Sequence, residues 1–375
     1  MKNKYLSLQR IAHLLVILVL VGYVAYIGKS LLIPLAFGIL FAFMLKPVSD
    51  KIETLIPYRP LSILLAFLIA LIPVLGAISF FSYQFTRVFQ DISSITQKLK
   101  TGIVSLVEWA QENLNLEITD GRQWLLDNLS TLVDTPIQII GESLSSSTAT
   151  VAGLLISALL TFFLLLYRTS FKNFMLSQVR IEERDEANKI MTDIQQVSQK
   201  YLFGLLLVIL ILGILNSVGL WFIGIDYAFF WGFLAAFLAI IPYIGTTLGG
   251  IFPFLYAIAT TGTFWQPAAV VLLYMSVQSL EGNLITPNVV GSTVKVNPLA
   301  AILSLLIGGA FWGISGLILA LPLIAILRVV CHHIDALQPV SELLGSELYS
   351  RKDIFFEKYD EDRYRLINFL KKEDK

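Results

Sequence analysis

Charge is what this 375-residue sequence has least of. Asp, Glu, Lys and Arg make up 14% of it, where a soluble domain carries about a quarter. The 27 basic and 27 acidic residues cancel, and no basic run forms the electrostatic footprint that nucleic acid requires. Cysteine is nearly absent: Cys331 stands alone, so no disulfide can form within the chain. The three histidines (His13, His332 and His333) have no clustered partners and give no metal site by spacing. The nucleophile-elbow, zinc-protease and phosphate-loop patterns are missing too. Enzymatic chemistry has no constellation to stand on, and nothing asks for a cofactor.

What the chain has in abundance is hydrocarbon. It is 56% hydrophobic, with several runs near the roughly 20 helical residues needed to cross a bilayer core. The first three spans read as 11–27, 31–45 and 61–83. The first resembles a signal peptide, but it lacks a small-residue cleavage site and is followed at once by another apolar run, so a retained span is expected. Lys2, Lys4 and Arg10 precede the first span, and Lys46, Lys51 and Arg59 separate the second from the third. By the positive-inside rule both groups mark the cytoplasmic side.

Residues 84–150 are a different material. Phe85, Val88, Phe89, Ile92, Ile95 and Leu99 recur at helical spacing and predict an amphipathic insert outside the cytoplasm, not a span. A fourth span, 151–167, returns the chain to the basic loop 168–200. There Ala187, Ile190, Met191, Ile194, Val197 and Tyr201 predict a helix lying along the membrane or docked on the bundle. Further spans are expected at 202–223, 228–241 and 265–280. The stretch 299–330 is too long for one upright helix; a tilted helix, a tight hairpin and a broken pair all fit it. The expectation is an all-α polytopic membrane protein with about eight spans, interrupted or re-entrant segments, and the amphipathic insert. Its parts would be 1–83 (three spans), 84–150 (insert), 151–167 (fourth span), 168–200 (cytoplasmic loop), 201–331 (core with broken helices) and 332–375 (cytoplasmic tail).

Within the core, helix breakers interrupt the apolar run. Pro242, Gly245, Gly249, Gly250 and Pro253 punctuate IPYIGTTLGGIFP, and Pro287, Gly291 and Pro298 punctuate SLEGNLITPNVVGSTVKVNP. Proline removes a backbone donor and kinks a helix. Breakers at membrane depth are tolerated where the freed backbone faces protein or a water-filled cavity, which makes paired interruptions a pointer to a transport site. Gly245 and Gly249 equally satisfy a close helix contact, as do Gly309, Gly313 and Gly316 in GGAFWGISG. Glu281 is an isolated carboxylate after fifteen uncharged residues, flanked by Gln278, Gly282 and Asn283. In a cavity it would bind a cation or take a proton; at the end of a short span it would sit among headgroups. Asn216, inside the fifth span, reads as an interhelical bridge or a cavity-lining group.

The run from Ala239 to Pro322, with PYIGTTLGGIFP, EGNLITPNVVGSTVKVNP and LSLLIGGAFWGISGLILALPL in order, resembles the autoinducer-2 exporter (AI-2E) family, also described as PerM-like permeases. The resemblance covers nearly the whole chain, and its specific motifs lie in the last 140 or so residues. It implicates Pro242, Gly245 and Gly249, and then Glu281, Asn283 and Pro287. Thr246 stands where many relatives have a second proline. The resemblance implies export of a small, polar, uncharged signal by a homo-oligomer, a pentamer being the form suggested. Some relatives look like Na+(Li+)/H+ antiporters, so the substrate is not fixed by it.

Three functions follow as expectations. One is an efflux carrier for a small polar solute, with Gln278, Asn283, Thr246 and Thr247 supplying hydrogen bonds and Glu281 a proton or polar contact. Another is a cation/proton antiporter, for which the scarcity of membrane carboxylates is a mild objection. The third is a scaffold acting through 84–150 and the tail. Partners would be the bilayer and the solute or ions.

Overall fold

A computed structural model describes residues 8–90, 97–99, 101–102, 104, 147–241, 244–291, 296–346, 354–361 and 364. Most of the expected insert, Pro242, the side chains of Thr246 and Thr247, and most of the tail beyond 346 lie outside the described residues.

Every named element is a helix. In order they are α1 (Leu8–Ile27), α2 (Lys29–Leu55), α3 (Arg59–Gln90), α4 (Ser147–Leu166), α5 (Arg168–Ser177) and α6 (Arg184–Ile223). There follow α7 (Ala228–Leu238), α8 (Ile244–Thr260), α9 (Trp265–Leu280), α10 (Pro298–His333), α11 (Gln338–Leu344) and α12 (Ile354–Glu357). The one β-type pairing among the described residues is an isolated bridge between Val296 and Gly345. Hydrocarbon enforces this uniformity, because a helix satisfies its backbone internally. The chain is an all-α polytopic membrane protein.

Among the described residues, five helices are long and apolar enough to cross a membrane: Lys29–Leu55, Arg59–Val88, Ile181–Ile223, Trp265–Val289 and Pro298–His333, the last of which is broken at Gly313. A sixth span is possible in the pair Val151–Leu166 and Arg168–Ser177, bent by 67°. With that pair, the shorter apolar helices Leu15–Ile27 and Ala228–Leu238 stand at the other expected spans, and a third short apolar helix, Gly249–Thr260, lies where no full span was expected. The helix expected over 187–201 is not separate: α6 runs unbroken through it into the fifth span. Ala187, Ile190, Met191, Ile194 and Val197 are half-buried and Tyr201 is buried, so that face docks on protein.

The chain divides into two compact units. The first comprises 1–67, 152–203 and 290–375. Here α2 and α4 cross on small residues. The hydroxyl of Thr161 donates to its own helix at Ser157 O (2.7 Å) and lies 3.1 Å from Gly38 O. A methyl group on Gly38 would press on Leu160 Cβ at 3.0 Å. Such contacts replace hydrophobic driving force inside a bilayer. α6 is tied to α2 by Gln199, which donates to Phe43 O (2.7 Å), and by Lys46, which donates to Gln195 (3.0 Å).

In the same unit α10 folds back on itself. Gly313 has φ 58° and ψ −136°, a conformation open to glycine and strained for residues with a Cβ. Gly308 then meets the carbonyl of Gly316 and the methyl of Ala320, and Gly309 meets Leu317. In a straight helix Gly308 and Ala320 would be about 18 Å apart at 1.5 Å per residue. Of the three readings of 299–330, the structure takes the tight hairpin. Its tip is pinned to α1, where the Trp312 indole N–H donates to Ala25 O (2.9 Å). Its base is held by Asn297, whose side chain caps the helix at Ala300 N (2.8 Å) and donates to Leu343 O (2.6 Å).

The second unit comprises 68–151 and 204–289. Its core gathers Leu220, Ile225, Ala228, Phe230, Trp231, Tyr256, Ala257 and Val270. α7 and α8 form a second hairpin. A side chain on Gly245 would collide with the Leu238 carbonyl, and one on Gly249 would meet Ala235 Cβ at 2.8 Å. Trp231 packs on Tyr256 (5.3 Å between centroids) and stacks with Phe252 (6.5 Å).

Candidate functional site: a polar cavity in the second unit

The site begins with a spacing on α9. Tyr274, Gln278 and Glu281 stand at i, i+4 and i+7, so they share one helix face. This face does not end at Leu280. Glu281 keeps right-handed helical angles (φ −58°, ψ −56°), and the chain continues in π-helical turns over Glu281–Ile285 and Pro287–Gly291. The apolar span containing Glu281 extends to Val289. A π turn carries an extra residue within the helical rise and is a frequent mark of functional sites.

Opposite the α9 face stand Asn216 and Leu212 of α6 and Ala235 and Ala239 near the end of α7. Together with Val277 these residues enclose a cavity of about 20 Å³. That volume admits about one water-sized body. The two alanines leave the room, and the polar groups give it character. Asn216 is 4% exposed, and neither its Oδ1 nor the Tyr274 hydroxyl has a hydrogen-bond partner among the described residues. Gln278 and the Glu281 carboxyl line the same cavity wall on α9. Buried polar groups without partners are costly, so two of them facing one small cavity with a carboxylate imply an occupant with donors or positive charge. A water, a proton carrier or a monovalent cation fits this acceptor-rich set. A solute of several carbon atoms does not fit the cavity as it stands.

The structure thus brings together Glu281, Gln278 and Asn216 and adds Tyr274. Tyr274 is legible in the sequence as the third polar member of the α9 stripe, but an aromatic residue in a span passes for packing. The remaining candidates lie elsewhere. Asn283 turns back on its own helix, donating to Ser279 O (2.8 Å). Pro287 is exposed at the start of the second π turn. Gly245 and Gly249 pack α8 on α7, and Pro253 is buried within α8. Gly309, Gly313 and Gly316 build the α10 hairpin in the first unit. No group of three His, Cys, Asp or Glu residues suited to a metal occurs among the described residues.

Several apolar helices of spanning length, with a lone carboxylate inside one and facing a small polar cavity, define a multi-pass membrane protein of the permease type. The profile described as AI-2E family transporter matches residues 15–336, and the chain belongs to that family. Among similar proteins, a Bacillus subtilis transport protein named YrrI is 34% identical over 150 residues, 40% of this chain and 42% of the relative. The Escherichia coli K12 protein named as a permease, PerM, is 26% identical over 337 residues, 85% of this chain and 92% of the relative. The protein named AI-2 transport protein TqsA from the same strain is 30% identical over 121 residues, 32% of this chain and 35% of the relative.

Proposed function

We propose that this transporter moves a small polar solute out of the cell and that the Asn216–Tyr274–Gln278–Glu281 cavity couples that movement to a proton. The observation that carries the reading is the meeting, in one cavity, of a membrane carboxylate with two buried polar atoms that have no protein partner. Carboxylates inside spans are expensive and mark ion or proton pathways. At about 20 Å³ the cavity suits the coupling particle, and the solute passes where the hairpin α7–α8 and α9 separate in alternating access. The name of TqsA makes autoinducer-2 the first solute to try. Placement of both termini on the cytoplasmic side and assembly as a homo-oligomer belong to the same reading.

The second reading, Na+(Li+)/H+ antiport, is favoured by the same cavity size, which matches a dehydrated monovalent cation held by oxygen acceptors. One experiment separates the two. Purified protein is reconstituted in liposomes holding a pH dye, a proton gradient is imposed, and either Na+ or Li+ or autoinducer-2 is added. Solute-dependent dissipation that Glu281→Gln abolishes supports solute–proton coupling. Dissipation driven by Na+ or Li+ alone replaces it with antiport. Unchanged flux in Glu281→Gln removes the cavity from both.

A further inference from the structure

The ends of α2, α3 and α4 meet at a cluster of charges. Arg168 pairs with Asp50 (2.7 Å) and with Glu53, and Arg59 pairs with Glu53 (3.1 Å). Arg59 also reaches Leu166 O, the last carbonyl of α4, at 3.5 Å. Two carboxylates and two guanidiniums at one level cannot rest in hydrocarbon at tolerable cost, so this clasp marks a membrane surface. It does so independently of any count of basic residues in loops.

At that level the chain turns. α5 departs from α4 at 67° and, at ten residues, is too short to span. Its sequence, RTSFKNFMLS, is two-faced. Tyr167, Phe171, Phe174 and Met175 fall at i, i+4, i+7 and i+8, one stripe of a helix. All four lie in the open, at 51, 51, 63 and 57% exposure. Lys172, Asn173 and Ser177 occupy the other side. The stripe continues the lipid-facing surface of α4, where Leu155, Leu159 and Phe163 are exposed, and Phe163 stacks on Tyr167 across the turn (6.2 Å, 7° between planes). Aromatic residues with one apolar and one polar end favour this zone.

We infer that α5 is an interfacial anchor, its Tyr167–Phe171–Phe174–Met175 stripe seated at the headgroup–acyl boundary of the bilayer and its start fixed there by the Arg168–Asp50–Glu53–Arg59 clasp. The occupant of the stripe is lipid because the same apolar surface runs without a break from a spanning helix onto it. An amphipathic helix at that depth binds through buried apolar area, with basic side chains such as Lys172 toward the phosphates.

The test is a depth measurement on the full-length protein in nanodiscs of zwitterionic and anionic phospholipid. Single cysteines replace Phe171, Phe174 and Asn173 in a Cys331→Ser background, carry a spin label, and are exposed to oxygen and to a water-soluble nickel chelate. Oxygen should dominate at Phe171 and Phe174 and the chelate at Asn173, so the depth parameter changes sign within one turn. Because Cys331 is buried, the unsubstituted protein is also labelled with a lipid-soluble diazirine, which should modify the segment 171–175. Chelate access at all three positions, or no diazirine adduct there, overturns the inference. Spin–spin broadening between copies at Phe171 or Phe174 overturns it in favour of a protein–protein contact.

Discussion

The two helical hairpins use glycine in the same way and are held together differently. In α7–α8, Gly245 and Gly249 let the arms touch at Leu238 and Ala235, and an aromatic cluster around Trp231 holds the pair. In α10, Gly308 and Gly316 let the arms touch, Gly313 makes the turn, and hydrogen bonds from Trp312 and Asn297 fasten tip and base. Only the first hairpin contributes to the polar cavity, and it does so through Ala235 and Ala239. Glycine brings helices close enough to leave no space, whereas alanine beside a row of polar residues leaves space of a useful size. Among small residues, the ones that matter for chemistry are therefore those that stand beside polar side chains.

The largest effect should come from the glycines. Gly316→Leu places a side chain on the Gly308 carbonyl and should cost more than about 3 kcal/mol, beyond what over-packing usually incurs. The expected result is no monodisperse protein on size exclusion, and Gly245→Leu should behave alike. A folded Gly245→Leu protein would break the likeness between the hairpins.

Next come the cavity residues, which should affect transport and spare folding. Glu281→Gln should lower coupled flux at least tenfold, on the order of 1.4 kcal/mol or more, with thermal unfolding in detergent unchanged. Ala239→Val should do the same by filling the space, which sharpens the contrast between alanine and glycine. If Ala239→Val transports normally, the cavity volume is not in use. Tyr274→Phe, which removes one buried hydroxyl without a partner, should leave the fold as stable or slightly more stable, as loss of an unsatisfied group does. It should nonetheless reduce flux; a melting curve and a flux assay on the same sample decide this.

The smallest effect belongs to the fastening of the second hairpin. Trp312→Phe deletes the bond to Ala25 O while keeping most of the ring, and about 1 kcal/mol should be lost. Differential scanning measurements should show a drop of about 1 °C. The corresponding Trp231→Phe in the first hairpin removes an indole N–H that has no partner and should cost less than Trp312→Phe.

Much of this was legible in the residues alone. Apolar runs gave α2, α3 and α9, because hydrocarbon accepts little except helices. Glu281 stood out for the same reason: a charge at the end of a long uncharged run has few explanations. The alternatives at Gly245, Gly249 and 299–330 stayed open because glycine permits both a bend and a close contact, and only a neighbouring helix selects between them. α6 was read as two helices because its first half is amphipathic and its second almost entirely apolar. A change of surroundings along one rod looks in sequence like a change of element.

By itself, then, the sequence determined that this chain crosses a membrane many times as helices, that the AI-2E pattern occupies its second half, and that one carboxylate lies out of place in it. These follow from local composition, which acts through transfer into hydrocarbon and needs no partner. Only the tertiary structure decided that 298–333 is a hairpin, that the span of Glu281 continues past it in π turns, and that Asn216, Tyr274 and Glu281 face one cavity. Those depend on which surfaces meet across long stretches of chain, and the spacing of residues along a single helix carries no record of what stands opposite.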